Sequence, residues 1–195
     1  SDPRVSSYSN ADSEILRYCV YVETDHDTDN DGLADLVKAM VQVPRFAAEG
    51  KYKAATIYDP TPYAAGTCEE YAEDTYAMYV ETGFDYARLY QPGEKRIPEG
   101  TCSTMEAALS AKPKKDWNYT VPYSGETGYY SLQEYDYYLV RGFAVVLACG
   151  IGTYGSEGYE LCGTDLERDS HKCVVEWLTG DRVAYTDKTH NITIA

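Results

Sequence analysis

Residues 138–158 read Tyr138-Leu-Val-Arg-Gly-Phe-Ala-Val-Val-Leu-Ala-Cys149-Gly-Ile-Gly-Thr-Tyr-Gly-Ser-Glu-Gly158. A near-continuous apolar run followed by a glycine-rich exit predicts a strand buried on both faces. Strands of that kind belong to parallel sheets covered by helices. The run at 139–149 is too short to span a bilayer, which takes about 20 apolar residues. Four glycines in the exit, Gly150, Gly152, Gly155 and Gly158, do not form a dinucleotide fingerprint, because no helix opens directly behind them. Ser156 lies in Gly-Ser-Glu-Gly rather than G-x-S-x-G, so it is a poor nucleophile.

Working outward, residues 167–178 carry an amphipathic helical pattern, with Val174, Val175 and Leu178 as its apolar stripe and Gly180 as its stop. Upstream, β-branched and aromatic residues at 18–24 and 35–43 predict two strands around an Asp-rich turn, an antiparallel hairpin closed by Pro44. A third strand is expected at 54–59, ending at Pro60-Thr-Pro62. Strands first, then strand alternating with helix, is the pattern of a mixed α/β sheet. Residues 1–13 read as a flexible lead-in and 14–195 as part of one domain. The stretch 64–137 is polar, Tyr-rich and irregular, and is read as an insertion over the sheet, since structureless loops of that length are rare inside compact domains.

The chain has 195 residues, with 32 acidic against 17 basic side chains and a formal charge of −15. That balance argues against nucleic acid as a partner, because neutralising phosphates requires clustered Lys and Arg. It argues equally against an anionic membrane surface, and no membrane span is expected. Tyrosine dominates the aromatics, 21 against 3 Phe and 2 Trp, which suits a wet, half-buried surface or an aromatic-lined cleft. Six cysteines include no CxxC pair, so a zinc ribbon is not expected. Cys68 and Cys102, both in the insertion, are the first candidates for a disulfide, and the compartment is left open.

Two segments offer chemistry. The turn Asp25-His-Asp27-Thr-Asp29-Asn-Asp31-Gly32-Leu-Ala-Asp35 matches the start of a calcium loop when counted from Asp27. Alternating carboxylates at Asp27, Asp29 and Asp31, with Asp35 further on, offer the hard oxygens that Ca²⁺ takes, and Gly32 allows the sharp turn. The twelfth position is Lys38 rather than Glu, and the flanks are strands, so an EF-hand is rejected. A structural Ca²⁺ and a solvated Asp/Gly turn both stay open. The second segment is Asp59-Pro-Thr-Pro-Tyr63-Ala-Ala-Gly66-Thr67, behind the third strand. Read alone, it is a rigid turn with a surface tyrosine. His26, His171 and His190 have no metal spacing and read as exposed polar residues.

These blocks together resemble one family, the Xaa-Pro dipeptidyl-peptidases, serine peptidases with an α/β-hydrolase catalytic domain related to the cocaine-esterase type of acyl hydrolase. The resemblance is carried by Val20-Tyr-Val-Glu-Thr-Asp, Asp29-Asn-Asp-Gly32, Val41-Gln-Val-Pro-Arg45, Pro62-Tyr-Ala-Ala-Gly-Thr67, residues 138–158 and Glu176-Trp-Leu-Thr-Gly-Asp-Arg-Val-Ala-Tyr-Thr186. It implies the N-terminal half of an α/β-hydrolase sheet: an antiparallel hairpin, then parallel strands, with a long Tyr-rich insertion. It also implies that the Tyr63 hydroxyl serves the oxyanion hole, with Asp59 and Gly66 shaping the same loop. One such donor is worth about 3 kcal/mol of barrier. No cofactor is required for catalysis.

The nucleophile, histidine and acid of the triad follow later in such folds. The 195 residues contain no G-x-S-x-G, so the chain is expected to stop before the nucleophile elbow and to be inactive alone. The implied parent releases Xaa-Pro dipeptides from peptides with Pro at the second position, working with the remainder of the catalytic domain. A small-ester acyl hydrolase of the same superfamily, and a non-catalytic Ca²⁺-stabilised binding module, are the alternatives.

Overall fold

A computed structural model of the chain describes residues 15–62, 86–102, 138–139, 141–159 and 161–194. The hairpin expected from the sequence is β1 (Ile15–Glu23) and β2 (Leu36–Pro44), antiparallel in the register Val20↔Ala39. A short helical turn, α1 (Arg45–Ala48), leads on to β3 (Thr56–Pro60). A 3₁₀ turn at Tyr86–Tyr90 and a two-residue strand, β4 (Gly100–Thr101), lie in the segment read as an insertion. Then come β5 (Ala144–Ala148), α2 (Asp165–Thr179), β6 (Ala184–Tyr185) and β7 (Ile192–Ile194).

Among the described residues the strands form one seven-stranded sheet, in the order β3-β5-β2-β1-β6-β7-β4. β3 and β5 run parallel, as do β4 and β7; the other neighbours are antiparallel. The mixed α/β class is therefore as expected. The strand read over 139–149 is shorter, because Tyr138 and Leu139 form a helical turn and Gly142 takes φ 87° before the extended run begins. A positive φ of this kind costs glycine little. The lead-in at 1–13 and most of the insertion lie outside the described residues.

Period-two alternation explains the two faces of the sheet. Leu16, Tyr18, Val20 and Val22 of β1, and Val37, Ala39, Val41 and Val43 of β2, join a core with Leu166, Cys173, Val174 and Trp177 of α2. The opposite face carries Cys19, Tyr21, Leu36 and Met40, packed with Tyr185. Burying one such side chain contributes about 1.5–3 kcal/mol. The helix ends where its sequence dictates. Thr164 accepts a hydrogen bond from Glu167 N, Asp165 and Glu167 favour the positive end of the helix dipole, and Gly180 closes the far end at φ 88°. Trp177 Nε1 donates to Ile194 O, tying the helix to β7.

The segment 91–100 is a loop, but it is woven into the fold. Asp27 N donates to Gln91 O, Ala34 N to Glu94 O and Glu94 N to Gly32 O, so the segment runs as an extra rung beside the hairpin loop. A side chain on Gly93 would sit 2.3 Å from Ala34 N, which only glycine avoids. Of the expected Cys68–Cys102 pair, Cys68 lies outside the described residues. Cys102 N donates to Thr193 O, extending the β4–β7 pairing, and its side chain packs on the core.

Candidate functional site

In open α/β sheets, ligands bind beyond the carboxyl ends of the parallel strands. Here those ends are Pro60 of β3 and Ala148 of β5, which face each other in register. Thr61 N donates to Ala148 O, so the pairing continues one step past β3. Gly150 then lets the chain after β3 come close: a Cβ there would lie 3.1 Å from Pro62 Cα and O. Asp59 sits half-buried on β3 beside Leu147. Tyr63 and Gly66, the other residues expected in this loop, lie outside the described residues.

The loop 150–158 is built by local hydrogen bonds. Thr153 Oγ1 donates to Gly150 O, Ser156 N to Thr153 O and Gly152 N to Glu157 O. Ser156 Oγ accepts from Lys38 N at 2.9 Å, a buried structural bond that agrees with its rejection as a nucleophile. Glu157 was legible only as a loop residue. Its Oε2 accepts from Leu36 N and from Arg96 Nη2 at 2.8 Å, and Arg96 Nη1 also donates to Ala34 O. Arg96 is almost wholly buried, so one guanidinium pins the loop, the start of β2 and the 91–100 segment together.

No nucleophile–base pair is present among the described residues. Burial pushes the Cys149 thiol up to about 12 and the Cys173 thiol to about 11, which keeps both protonated and inert. His190 is exposed and bonds Asp187 within its own turn. His171 departs from the exposed reading. It is half-buried on α2, with Nδ1 3.2 Å from the Tyr58 hydroxyl of β3, and burial lowers its pKa.

The Asp-rich turn is ordered around its own amides. Asp27 accepts from Asp31 N and Gly32 N, Asp31 from Leu33 N, and Asp35 Oδ2 from both N and Oγ1 of Thr28. Asn30 at φ 62° and Gly32 at φ 98° make the reversal. Carboxylate oxygens of Asp27, Asp29 and Asp35 lie within 4.8 Å of one another, whereas Asp31 stands outside this group. Burial, with Asp29 and Glu157 near, pushes the Asp35 carboxyl up to about 7, against the opposing Thr28 hydrogen bonds. Burial first, then neighbouring Asp31, raises Asp29 as well. Gathered acids resist ionisation unless a cation joins them. Three carboxylates are hard oxygen donors of the type Ca²⁺ takes.

Among the described residues no helix is long and apolar enough to cross a membrane. A family model described as X-Pro dipeptidyl-peptidase (S15 family) matches residues 31–191. The chain is 36% identical over 180 residues to the Xaa-Pro dipeptidyl-peptidase of Lactobacillus helveticus, covering 92% of this chain and 21% of that protein. It is 34% identical over 190 residues to that of Ligilactobacillus salivarius, covering 93% and 22%. The Lacticaseibacillus paracasei enzyme of the same name is 31% identical over 192 residues, covering 93% and 22%. The chain thus spans about a fifth of the length of the curated relatives it matches. With the family match running through β2, the parallel β3–β5 pair and α2, the chain belongs to the X-Pro dipeptidyl-peptidase (S15) family.

Proposed function

We propose that this chain supplies the N-terminal half of the hydrolase sheet in a serine exopeptidase that releases Xaa-Pro dipeptides through an acyl-enzyme. The observation that carries this reading is the parallel β3–β5 pair, with Pro62 brought against Gly150 beyond its carboxyl end. The loop that opens there holds Tyr63, whose hydroxyl is assigned to the oxyanion of the tetrahedral intermediate. Asp59 and Gly66 shape that loop. The serine, histidine and acid come from the remainder of the catalytic domain, so the 195 residues alone turn over no substrate. Among the described residues no strand lies on the outer edge of β3. A bare strand edge invites aggregation, and the remainder of the domain is the partner assigned to it.

The test uses the full-length protein, with a Gly-Pro amide reporter set against a simple ester. Preference for the amide supports the peptidase, and preference for the ester favours the acyl-hydrolase alternative. Tyr63→Phe is expected to lower kcat on the order of 10²-fold; an unchanged rate removes Tyr63 from the oxyanion hole.

A second, non-catalytic reading attaches to the hairpin loop, where Asp27, Asp29 and Asp35 converge. This loop is proposed to hold a structural Ca²⁺, with Asp31 ordering the turn from outside. Catalysis itself is assigned no cofactor. Added Ca²⁺ is expected to slow amide exchange over residues 25–35, and Asp29→Asn to cancel that effect. Identical exchange with Ca²⁺ and with a chelator leaves the loop as a plain Asp/Gly turn.

A further inference from the structure

We propose that Glu167 is a positioning residue for this reaction, bracing the exit of β3 through Gly150. The inference rests on the catalytic reading above and adds to it a residue on a different element. Thr164-Asp-Leu-Glu167 has the spacing of a capping box, in which the glutamate ordinarily reaches back to the N-cap amide at the helix surface. This glutamate behaves differently. Its Oε2 accepts from Gly163 N, one residue before the cap, and the side chain is buried, at 8% exposure. Burying a carboxylate is costly, and capping the helix does not demand it.

The other oxygen shows what the burial achieves. A Cβ on Gly150 would lie 2.6 Å from Glu167 Oε1 and 3.1 Å from Pro62 Cα and O. The first turn of α2, the end of β5 and the exit of β3 therefore converge on one residue without a side chain. Gly150 is not among the glycines with positive φ. Its lack of a side chain serves this close approach rather than a turn. One helical turn further along the same face of α2, the Tyr58 hydroxyl lies within hydrogen-bond distance of both His171 Nδ1 and His171 O. The helix thus meets β3 directly at Tyr58 and reaches its exit through Gly150, where the chain departs towards Tyr63. Small displacements at a reacting centre are expensive in rate: about 1 Å can cost on the order of 10²-fold.

Glu167 can be removed, or crowded from the opposite side by Gly150→Ala, which leaves the carboxylate and the helix cap intact. In the full-length peptidase, each change is expected to lower kcat for the Gly-Pro amide about 10-fold with KM nearly unchanged, as loss of an interaction made only in the transition state does. Glu167→Gln, which retains the shape and one acceptor, is expected to recover most of the rate lost in Glu167→Ala. In the Tyr63→Phe background, either change should cost no more than about threefold further, because residues acting through one group are non-additive. Fully multiplicative losses, a loss carried by KM, or wild-type kcat in Gly150→Ala overturns the inference. If Glu167→Ala does not fold, Glu167→Asp, which shortens the reach to Gly150, takes its place, because Gly150→Ala also crowds Pro62 directly; wild-type kcat in Glu167→Asp then overturns the inference. Failure of the catalytic reading is recognised separately, by Tyr63→Phe having no effect while Gly-Pro hydrolysis is retained.

Discussion

Replacing Gly158 by alanine tests how the glycine-rich exit is locked to the hairpin. Gly158 has φ +86°, and a Cβ there would lie 2.4 Å from Thr28 Oγ1, 2.5 Å from Asp35 Oδ2 and 2.7 Å from Asp35 Cγ. Neither group is free to yield. Thr28 Oγ1 donates to Asp35 Oδ2 at 2.6 Å, Thr28 N donates to the same oxygen, and Tyr159 N donates to Thr28 Oγ1 at 2.7 Å. Thr28 and Asp35 are both buried. The left-handed backbone costs alanine about 1 kcal/mol, and breaking one of these buried bonds adds about 1–3 kcal/mol. The sum, about 3 kcal/mol, should speed local exchange of the 24–36 and 157–159 amides on the order of 10²-fold. Hydrogen exchange read by mass spectrometry on the full-length protein resolves both segments. Gly50→Ala is the control, because Gly50 has φ +74° with nothing within 4 Å of its Cβ position. It meets the backbone cost alone, worth under about 10-fold locally. Equal effects from the two substitutions would refute the steric argument.

Arg96→Met should loosen three segments at once, because it removes the guanidinium shared by Glu157 and Ala34 O. Glu157 is only partly buried and keeps its Leu36 amide, so the loss is that of a charge-assisted hydrogen bond, about 1–3 kcal/mol, read as faster exchange at 34–38 and 155–158. His171 has its pKa lowered by burial. Above the unfolded value of about 6.5 both states are neutral and its contribution is complete; below it the unfolded chain binds the proton first, so stability falls as pH drops through the folded pKa. His171→Gln should flatten that acid limb, and an unchanged limb in thermal scans between pH 7 and 5 would count against it. Trp177→Ala removes a core aromatic and its bond to Ile194 O. A loss of about 3–5 kcal/mol is expected, read as lost protection in β7, and a change under about 1 kcal/mol would show that the helix–β7 contact matters little.

The elements legible in the sequence are those whose side chains carry a period. β1 and β2 alternate, β5 is an apolar run and α2 has an apolar stripe, and each appears within a few residues of its expected place. The helix stop at Gly180 was legible because a glycine there has one purpose, a left-handed cap. What escaped had no period to read. β6 and β4 are two residues each, held by backbone partners far along the chain. Arg96 and Glu167 were invisible as site-shaping residues because their importance lies in what they approach: Glu157 and Ala34 for one, Gly150 for the other. Of the acidic turn, the sequence offered four carboxylates, open to either a Ca²⁺ or a solvated turn. Three gather, because Asp31 turns outward to accept from Leu33 N.

The strand order has a consequence for how the chain comes off the ribosome. The β1–β2 hairpin is made first, yet the outer edge of β2 is completed only by β5, as in Val41↔Val146, and that of β1 by β6, as in Tyr21↔Tyr185. Those partners emerge about a hundred residues later or more, which at 5–20 residues per second is roughly 5–20 s or longer. For that interval the apolar β1–β2 hairpin waits with both flanks unpaired, a target for holdase chaperones and for neighbouring nascent chains. Synonymous codon changes that slow translation between residues 45 and 143 would lengthen the exposure without altering one atom of the finished protein.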